Sequence, residues 1–287
     1  MLLITDQETL IQEVCKLKQF DKIINFIPTM GNFHLGHESL FKKSENDNEV
    51  IITSIFVNPL QFNDINDFES YPRTPELDKK KLINKKVDIL FLPKLNFING
   101  TELLYNLGDI SQKLCGRDRK GHFEGVAKII VKFLGLIRPN FITLGEKDYQ
   151  QVLIIKKIIK DFKFNTKVRI SPTIRDKDDV ALSSRNQLIE NFFLASYIPR
   201  ILKQIVSEIE AGDFKLIKID DFKESLKTSG IMEVIYLEIL KEIDLTKPDN
   251  QPSKCRVFIS VSIEGIRLID NMAIRGHVKL FEDKITT

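Results

Sequence analysis

Residues 23–37 read IINFIPTMGNFHLGH, and they predict the kind of sheet that this chain builds. The run Ile23–Thr29 is almost continuously apolar, as expected of a strand that is buried on both faces. The turn that follows contains two glycines and places His34 and His37 at the start of a short helical pattern. A buried strand that enters a helix through such a turn is typical of a βα unit in a parallel sheet.

The first half of the chain repeats this alternation of apolar runs and helical patterns. Further strands are predicted at Val50–Val57, Val87–Leu92, Phe141–Leu144 and Val168–Ile174, with helices at Gly125–Ile137 and Tyr149–Phe162. Because apolar strands between helices are covered on both faces and their crossovers are right-handed, we expect a Rossmann-like, doubly wound parallel α/β sheet. In such sheets, ligands bind at the carboxyl ends of the strands.

The pattern changes near residue 176, after the last predicted strand of this sheet. The charged segment Arg175–Asp179 precedes helical patterns at Phe192–Ala211 and Phe214–Leu226, and strand patterns at Val234–Leu240, Val257–Ser262 and Arg267–Ile274. Helices followed by strands predict a smaller α+β domain. We therefore expect a Rossmann-like domain at residues 1–176 and a C-terminal α+β domain at residues 177–287.

Charge and composition narrow the possible function classes. The 287 residues include 43 Lys and Arg and 40 Asp and Glu, for a net charge of +3 with histidine neutral. Such a balanced surface favours neither nucleic-acid binding nor a basic membrane-binding face. The three cysteines are far apart, which argues against a structural zinc site and favours the cytoplasm. The first residues do not read as a secretory signal, and no apolar run is long enough to span a bilayer.

Five polar segments stand beside predicted strand ends or helix starts. They are Met30–His37 after the first strand, Asn58–Gln61 after the second, Arg117–His122 before the helix at Gly125, Gly145–Asp148 after the fourth strand and Leu182–Arg185 after the last. Because the carboxyl ends of parallel strands meet at one edge of the sheet, we expect these segments to form one site. Each alone also reads as a turn or a solvated charge cluster, as does the lysine-rich run Lys79–Lys86, which we interpret as a solvated helix face.

The segment Met30–His37 has the most distinctive chemistry. Its glycines let the backbone approach a ligand closely, and helix N-terminal N–H groups favour an anion such as phosphate. His34 and His37 can donate hydrogen bonds to a nucleotide phosphate and to a leaving pyrophosphate. Neither GxGxxG nor GxxxxGK occurs in the sequence, which leaves HxGH as the candidate phosphate motif.

The other segments supply complementary groups. The amides of Asn58 and Gln61 suit a small substrate that carries hydroxyl and carboxylate groups. Lys147 offers a point charge to phosphate, and Asp148 can accept from a ribose hydroxyl or from the hydration shell of a metal ion. The hydroxyls and the guanidinium of Ser183–Arg185 suit the oxygens of a triphosphate.

The order of these motifs resembles the pantothenate synthetase (pantoate–β-alanine ligase) family of the HxGH nucleotidyltransferase superfamily. PTMGNFHLGH, IFVNPLQF, YPRT at Tyr71–Thr74, GHFEGV, GEKDYQQ and SSRN occur in that family's order, and RLIDN at Arg267–Asn271 resembles its C-terminal signature. The resemblance runs from about residue 1 to about residue 275. It implies ATP-dependent condensation of pantoate with β-alanine through a pantoyl adenylate, with release of AMP and pyrophosphate.

The resemblance also implies which residues form the site. Those implied to bind ATP are Met30, Gly31, Asn32, Phe33, His34, Leu35, Gly36, His37, Gly145, Glu146, Lys147, Asp148, Ile174, Leu182, Ser183, Ser184 and Arg185. Those implied to bind pantoate or β-alanine are Gln61, Gln151, Asn58, Arg119 and His122. The expected catalytic residues are His34, His37, Lys147 and Arg185. Magnesium is expected to accompany the ATP phosphates, with no separate metal site in the protein.

The family is usually dimeric, so the resemblance implies a homodimer, and it implies that the second domain acts as a lid. The chain departs from the family's pattern at Leu35, at Lys120 and in the loop Asp179–Leu182, where Asp179 replaces a usual glycine. The loss of a glycine is expected to change the backbone of that loop. Another HxGH adenylate-forming or nucleotidyl-transferring enzyme remains an alternative, and an RNA-binding relative is disfavoured by the small net charge.

Overall fold

The computed structural model describes residues 1–42, 48–100, 105–212, 217–231, 233–248 and 254–275. The chain divides into two compact units, one of Met1–Arg175 with Leu182–Ser184 and the other of Asp176–Ala181 with Arg185–Thr287. The chain therefore crosses between the units at three points, after residues 175, 181 and 184.

The first unit contains a six-stranded parallel sheet. Its strands are β1 (Leu2–Ile4), β2 (Ile23–Thr29), β3 (Glu49–Ile55), β4 (Ile89–Phe91), β5 (Phe141–Gly145) and β6 (Lys167–Ser171). They lie in the order β1-β4-β3-β2-β5-β6, so the direction of strand addition reverses between β2 and β5. The doubly wound parallel sheet expected from the sequence is confirmed, and its ligand crevice is expected at this reversal.

Helices flank the sheet. In the described part of the first unit they are α1 (Gln7–Gln19), α2 (Leu35–Glu38), α3 (Ile65–Glu69), α4 (Pro75–Asn84), α5 (Leu114–Asp118), α6 (His122–Ile137) and α7 (Tyr149–Asp161). The helix α6 starts at His122 and not at Gly125, because Gly121 takes the N-cap position in a left-handed conformation with φ +81°. No helix of the described ranges is long and apolar enough to cross a bilayer.

Two strands, β3 and β6, end two or more residues earlier than the sequence predicted. The strand β6 ends at Ser171 and not at Ile174, because the next residue is Pro172, which has no N–H to donate to a ladder. The strand β3 ends at Ile55, before the turn that contains Asn58. The connections from these strand ends to Asn58 and to Leu182 are therefore longer than expected.

Phenylalanine rings pack at the centre of the first unit. The rings of Phe26 on β2 and of Phe97 each lie 5.1 Å from the ring of Phe133 on α6, measured between centroids. This packing suits a chain with 20 phenylalanines and no tryptophan. A second buried cluster includes Phe33 in the turn after β2 and Leu82 on α4, so that turn is anchored to α4 by apolar contact.

The second unit contains a three-stranded antiparallel sheet and helices. Its elements are α8 (Tyr197–Glu210), α9 (Ile219–Thr228), β7 (Glu233–Lys241), β8 (Cys255–Ile263) and β9 (Ile266–Ala273), with the sheet order β7-β8-β9. Its hydrophobic core joins Ile205 on α8 and Leu226 on α9 to Ile259 on β8. The small α+β fold expected from the sequence is confirmed.

The helices of this unit start later than predicted. The predicted helix at Phe192 begins as a separate 3₁₀ turn, Phe192–Ser196, and α8 follows it. The start of the predicted helix Phe214–Leu226 falls partly at residues 213–216, which lie outside the described residues, and the described helix starts at Ile219.

Candidate active site

The turn after β2 has a backbone conformation that few residue types adopt. Gly31 has φ +82° and Asn32 has φ +51°, so two consecutive residues are left-handed. A Cβ atom on Gly31 would lie 2.9 Å from Cγ2 of Ile55 and 3.0 Å from Oδ2 of Asp78. No side chain fits there, and asparagine is among the residues that tolerate the left-handed region. The sequence Gly31-Asn32 therefore matches the shape of the turn.

Two side chains of α4 for which no role was predicted hold this turn. Asp78 is 1% exposed and accepts from the N–H of Asn32 at 2.8 Å and from that of Phe33 at 2.9 Å. Lys81, one helical turn later, donates to the carbonyl oxygen of Phe33. The helical spacing in the sequence could have predicted that Asp78 is buried, since Asp78 lies four residues before the buried Leu82 and thus on the same helix face.

The interpretation of Lys79–Lys86 as a solvated helix face is correct for part of the run. Lys80, Lys85 and Lys86 are exposed. Lys79 and Lys81 are half-buried, with side chains 30% and 29% exposed. Lys79 pairs with Glu76, whereas the ammonium group of Lys81 bonds the turn Met30–His37, which we call the phosphate turn after its predicted role.

His34 and His37 are tied to the turn through their Nδ1 atoms. The Nδ1 of His34 accepts from the N–H of Gly36 at 3.1 Å, and the Nδ1 of His37 accepts from the N–H of His34 at 3.4 Å. A neutral imidazole has one donor and one acceptor nitrogen, so both rings carry their hydrogen on Nε2. The turn therefore offers an anion two imidazole donors, whereas the amide of Gly36 is already bonded.

Both imidazoles are neutral at physiological pH. The pKa of His34 is lowered from 6.5 to about 4, first by burial and then by the charge of Lys147. Burial likewise lowers the pKa of His37 to about 3, with smaller contributions from His34 and Lys147. The rings are thus fixed hydrogen-bond donors, and the charge of a bound polyphosphate would raise both pKa values.

The turn after β3 brings a second motif against the first. The Nε2 of Gln61 donates to the sulfur of Met30 at 2.8 Å. Asn58, which is 1% exposed, accepts from the N–H of Leu60 at 3.1 Å. Its Nδ2 donates to the carbonyl oxygen of Gly125 at 3.1 Å and to Oε1 of Gln61 at 3.3 Å. Both ends of the Asn58 amide are therefore bonded within the protein, and one of them orients Gln61.

The backbone carbonyl oxygen of Gln61 accepts two hydrogen bonds from side chains. Nη2 of Arg119 lies 3.1 Å from it and Nδ1 of His122 lies 2.7 Å from it. Because a carbonyl oxygen only accepts, His122 carries its hydrogen on Nδ1, and its Nε2 accepts from Nη1 of Arg119 at 3.4 Å. A Cβ atom on Gly125 would lie 2.1 Å from the carbonyl oxygen of Leu60, so only glycine lets α6 approach this turn.

The segment after β5 supplies charge beside the histidines. Gly145 ends β5, and Glu146 starts the 3₁₀ turn Glu146–Asp148. Lys147 is half-buried and Asp148 is exposed. Both lie close enough to His34 to shift its pKa, in opposite directions. The cation predicted to act on phosphate is therefore near the two imidazole donors.

Two adjacent glutamines on α7 have different surroundings. Gln150 is 6% exposed, and its amide accepts from the N–H of Cys115 at 3.1 Å and donates to the carbonyls of Ile110 and Lys113 at 2.9 and 2.6 Å. Gln151 is half-buried, and its amide has no hydrogen-bond partner among the residues that the structure describes. Gln150 is a structural residue, whereas Gln151 keeps its hydrogen-bonding groups for other partners.

Two predicted ATP residues of the phosphate turn differ in accessibility. The side chain of Phe33 is 3% exposed, and its backbone N–H and carbonyl are bonded to α4. Leu35 is 66% exposed at the start of α2. Their roles in binding ATP stay predictions.

The segment Leu182–Arg185 is shared between the two units. Leu182–Ser184 belong to the first unit and Arg185 to the second. The N–H of Leu182 donates to the carbonyl of Ile174 at 3.0 Å. Its Cβ lies 3.5 Å from the position that a Cβ on Gly36 would take, so Leu182 lies against the phosphate turn. The action of Arg185 on phosphate stays a prediction.

Asp179, where the family's pattern usually has glycine, has a left-handed backbone. Asp179 has φ +68°, the left-handed conformation that glycine favours and that aspartate tolerates better than most residues. Its carboxylate also forms an ion pair with Lys203 at 2.5 Å. The loop therefore has a glycine-like conformation at this position without a glycine.

Comparison with known proteins finds relatives over nearly the whole chain. The family model described as pantoate-beta-alanine ligase matches residues 3–273. The protein named pantothenate synthetase from Thermodesulfovibrio yellowstonii is 36% identical over 274 residues, which cover 92% of this chain and 97% of the relative. Its namesake from Carboxydothermus hydrogenoformans is 35% identical over 280 residues, which cover 96% and 99%.

Solved structures agree with these sequence matches. The pantothenate synthetase of Thermus thermophilus has a TM-score of 0.84 and 28% identity, and the match covers 96% of this chain and 100% of that one. The pantoate-beta-alanine ligase of Francisella tularensis, complexed with beta-gamma ATP and beta-alanine, has a TM-score of 0.76 and 34% identity, over 96% and 98%.

Proposed function

Because the chain belongs to the pantoate-beta-alanine ligase family, it is an ATP-dependent ligase of pantoate and β-alanine, and we propose that it acts through a pantoyl adenylate. A carboxylate and an amine do not condense in water without activation. In the first step the carboxylate of pantoate attacks the α-phosphate of ATP, and pyrophosphate leaves. In the second step the amine of β-alanine attacks the acyl carbon, and AMP leaves.

The observation that best supports this route is the hydrogen bond from Gln61 to Met30, which is 2.8 Å long. A carboxylate held by the amide of Gln61 would lie beside the turn that carries His34 and His37. Attack on phosphorus needs the nucleophile next to the phosphate and in line with the leaving group. The contact supports a pantoate site and an ATP site that share one wall.

The phosphate turn stabilises charge by hydrogen bonding. The Nε2–H groups of His34 and His37 would donate to the oxygens of the α-phosphate and of the leaving pyrophosphate, and Lys147 would add a positive charge. One such preorganised donor is worth about 3 kcal/mol of transition-state stabilisation. Arg185 would add a second cation to the phosphates.

Pantoate is held by amides and by the groups that orient them. Gln61 and Gln151 would bind its hydroxyl and carboxylate oxygens, since an amide both donates and accepts. Asn58, Arg119 and His122 are bonded to Gln61 or to its neighbours. We assign these three residues the role of positioning Gln61.

Magnesium would arrive with the phosphates of ATP. Such ions keep several waters and use one or two carboxylates in addition to phosphate oxygens. Asp148 is exposed beside the phosphate turn and fits the role of a carboxylate that accepts from those waters. The described residues contain no group of three His, Cys, Asp or Glu that could hold a metal ion.

Three further features belong to the same proposal. The second unit would act as a lid, because a pantoyl adenylate hydrolyses when water reaches it.

The chain would form a homodimer, and the exposed Leu2 and Leu3 on the edge strand β1 support a surface for pairing. The cytoplasm would be its location. Sedimentation of the purified protein tests the dimer.

Isotope exchange tests the adenylate route. With magnesium and pantoate but no β-alanine, the enzyme should exchange labelled pyrophosphate into ATP, and Lys147→Ala should slow the exchange. Lys156→Ala, an exposed lysine on α7, is the matched control and should leave the exchange unchanged. Adding β-alanine should release AMP. Release of ADP would indicate an acyl phosphate, and exchange that depends on an amino acid would favour another HxGH enzyme, which the named relatives do not favour.

A further inference from the structure

The helix α4 reaches the phosphate turn with a buried carboxylate. Asp78 is 1% exposed, and its two oxygens accept separate hydrogen bonds, from the N–H of Asn32 at 2.8 Å and from the N–H of Phe33 at 2.9 Å. A carboxylate is rarely buried without partners, because it loses its hydration. Here both oxygens bond the backbone of one turn, and that turn leads directly into His34.

The turn needs such a partner. Gly31 and Asn32 are both left-handed, and left-handed backbone is unfavourable for a residue with a side chain by about 1–2 kcal/mol. The N–H groups of Asn32 and Phe33 would also lack acceptors without Asp78, and an unpaired buried N–H costs about 1–3 kcal/mol. Asp78 therefore compensates for a conformation that the turn would not keep unaided.

Lys81 adds a second connection from the same helix face. Its ammonium group donates to the carbonyl oxygen of Phe33 and lies 4.0 Å from Oε1 of Glu38, whose other oxygen pairs with Lys85 at 3.1 Å. Phe33 is thus bonded at its N–H by Asp78 and at its carbonyl by Lys81. The charge of Lys81 also contributes to the lowered pKa values of His34 and His37, which agrees with a position near both rings.

We propose that Asp78 and Lys81 are positioning residues for the transfer of the adenylyl group: they clamp the backbone of Asn32 and Phe33 so that His34 and His37 present Nε2–H to the nucleotide. This inference rests on the proposed function, and it names two residues that act on ATP without touching it. If the clamp is lost, the hydrogen bonds that fix the two imidazoles change. Gln61, in the turn after β3, keeps its bonds to Asn58, Arg119 and His122, and Gln151 stays on α7.

The first experiment measures pyrophosphate exchange in Asp78→Asn and Lys81→Met. An asparagine keeps the shape of Asp78 but can accept from only one of the two N–H groups and turns a donor toward the other. A methionine keeps the apolar stem of Lys81 without its donor. Both variants should lower the maximal exchange rate by about ten- to a hundredfold and raise the KM for ATP, with the KM for pantoate within about threefold. Glu76→Gln and Lys80→Met, on exposed positions of α4, are the controls and should match the wild type.

The second experiment measures the tautomeric state of the histidine imidazoles directly. The chain has four histidines, so long-range ¹H–¹⁵N spectra can be assigned by single substitutions. In the wild type at neutral pH, His34 and His37 should show the Nε2–H tautomer and His122 the Nδ1–H tautomer. In Asp78→Asn the signals of His34 and His37 should move toward a mixture of tautomers, while that of His122 should stay.

The outcomes separate this inference from the proposed function. If the wild type shows no pantoate-dependent exchange, the adenylate route fails, and the tautomer spectra still test the clamp. If the wild type exchanges normally and both variants keep wild-type exchange and tautomers, the clamp is overturned. Should Asp78→Asn fail to fold, Lys81→Met decides alone, and a wild-type KM for ATP in that variant overturns the role of Lys81.

Discussion

The Nδ1 atom of His122 lies 2.7 Å from the carbonyl oxygen of Gln61, so a histidine at the start of α6 holds the backbone of the residue that we propose to bind pantoate. Arg119 donates to the same oxygen at 3.1 Å. Two residues that the family resemblance links to the substrates are therefore bonded to the protein's own backbone. Their effect on pantoate would pass through the position of Gln61.

Substitution of His122 should weaken pantoate binding selectively. His122→Gln removes a donor at the place of Nδ1, and we expect the KM for pantoate to rise about tenfold, because Gln61 loses one of its supports. His122→Asn can place an amide N–H near the position of Nδ1 and should recover part of the loss. Steady-state kinetics with each substrate varied in turn provides the measurement. An equal rise in the KM for ATP would show that His122 does not act through Gln61.

The adjacent glutamines of α7 offer a matched pair. Gln151→Ala should raise the KM for pantoate by about tenfold or more and leave the unfolding midpoint unchanged, because its amide has no partner among the described residues. Gln150→Ala leaves the N–H of Cys115 and two carbonyls without their partner, so it should lower the free energy of unfolding by about 2–4 kcal/mol. Kinetics and urea titration distinguish the two, and the reverse pattern would contradict the assignment.

His37 should matter for turnover far more than for folding. His37→Ala removes an Nε2–H donor and is expected to lower kcat by about two to three orders of magnitude. His37→Gln, whose amide can place an N–H near the position of Nε2, should retain more activity. Rapid-quench measurement of AMP formation gives the rate, with circular dichroism as a check on folding. A folded His37→Ala variant with near-normal turnover would remove His37 from the mechanism.

The lowered pKa values of His34 and His37 predict a pH dependence of stability. The unfolded chain has histidine pKa values near 6.5, whereas the folded values are about 4 and about 3. The unfolded state therefore binds more protons between these values, so the contribution to stability is complete above pH 6.5 and is lost as the pH falls toward 4. Urea midpoints measured from pH 7.5 to pH 4.5 provide the test. A double variant, His34→Gln with His37→Gln, should show a flatter decline, and an identical slope would contradict the lowered pKa values.

Asp179 allows a test of backbone conformation against ion pairing. Asp179→Gly and Asp179→Val both remove the pair with Lys203, which is an exposed partner and worth little. Only valine is strained at φ +68°, and we expect it to lower the free energy of unfolding by about 1–2 kcal/mol more than glycine does. Thermal unfolding of the two variants gives the comparison. Equal midpoints would mean that the left-handed conformation is not maintained.

Local patterns in the sequence were sufficient for the sheet and for most segments of the site. The strand predicted at Ile23–Thr29 has the same bounds in the structure, and the helix predicted at Tyr149–Phe162 ends one residue earlier, at Asp161. Apolar runs, glycine turns and strand-end motifs depend on neighbours in the chain, so they can be read without packing. The very short strand β1 has no such pattern and was not predicted.

Packing alone determined which polar groups form hydrogen bonds within the protein. Asp78 is 45 residues from Phe33, and His122 is 61 residues from Gln61, so no local pattern connects either pair. Gln150 and Gln151 are the same residue type side by side, yet successive side chains on a helix point about 100° apart. Only Gln150 meets the segment of residues 110–115, which includes the start of α5. Residue type specifies the hydrogen bonds that a side chain can form, but its partners depend on which distant segment the fold brings within about 3 Å.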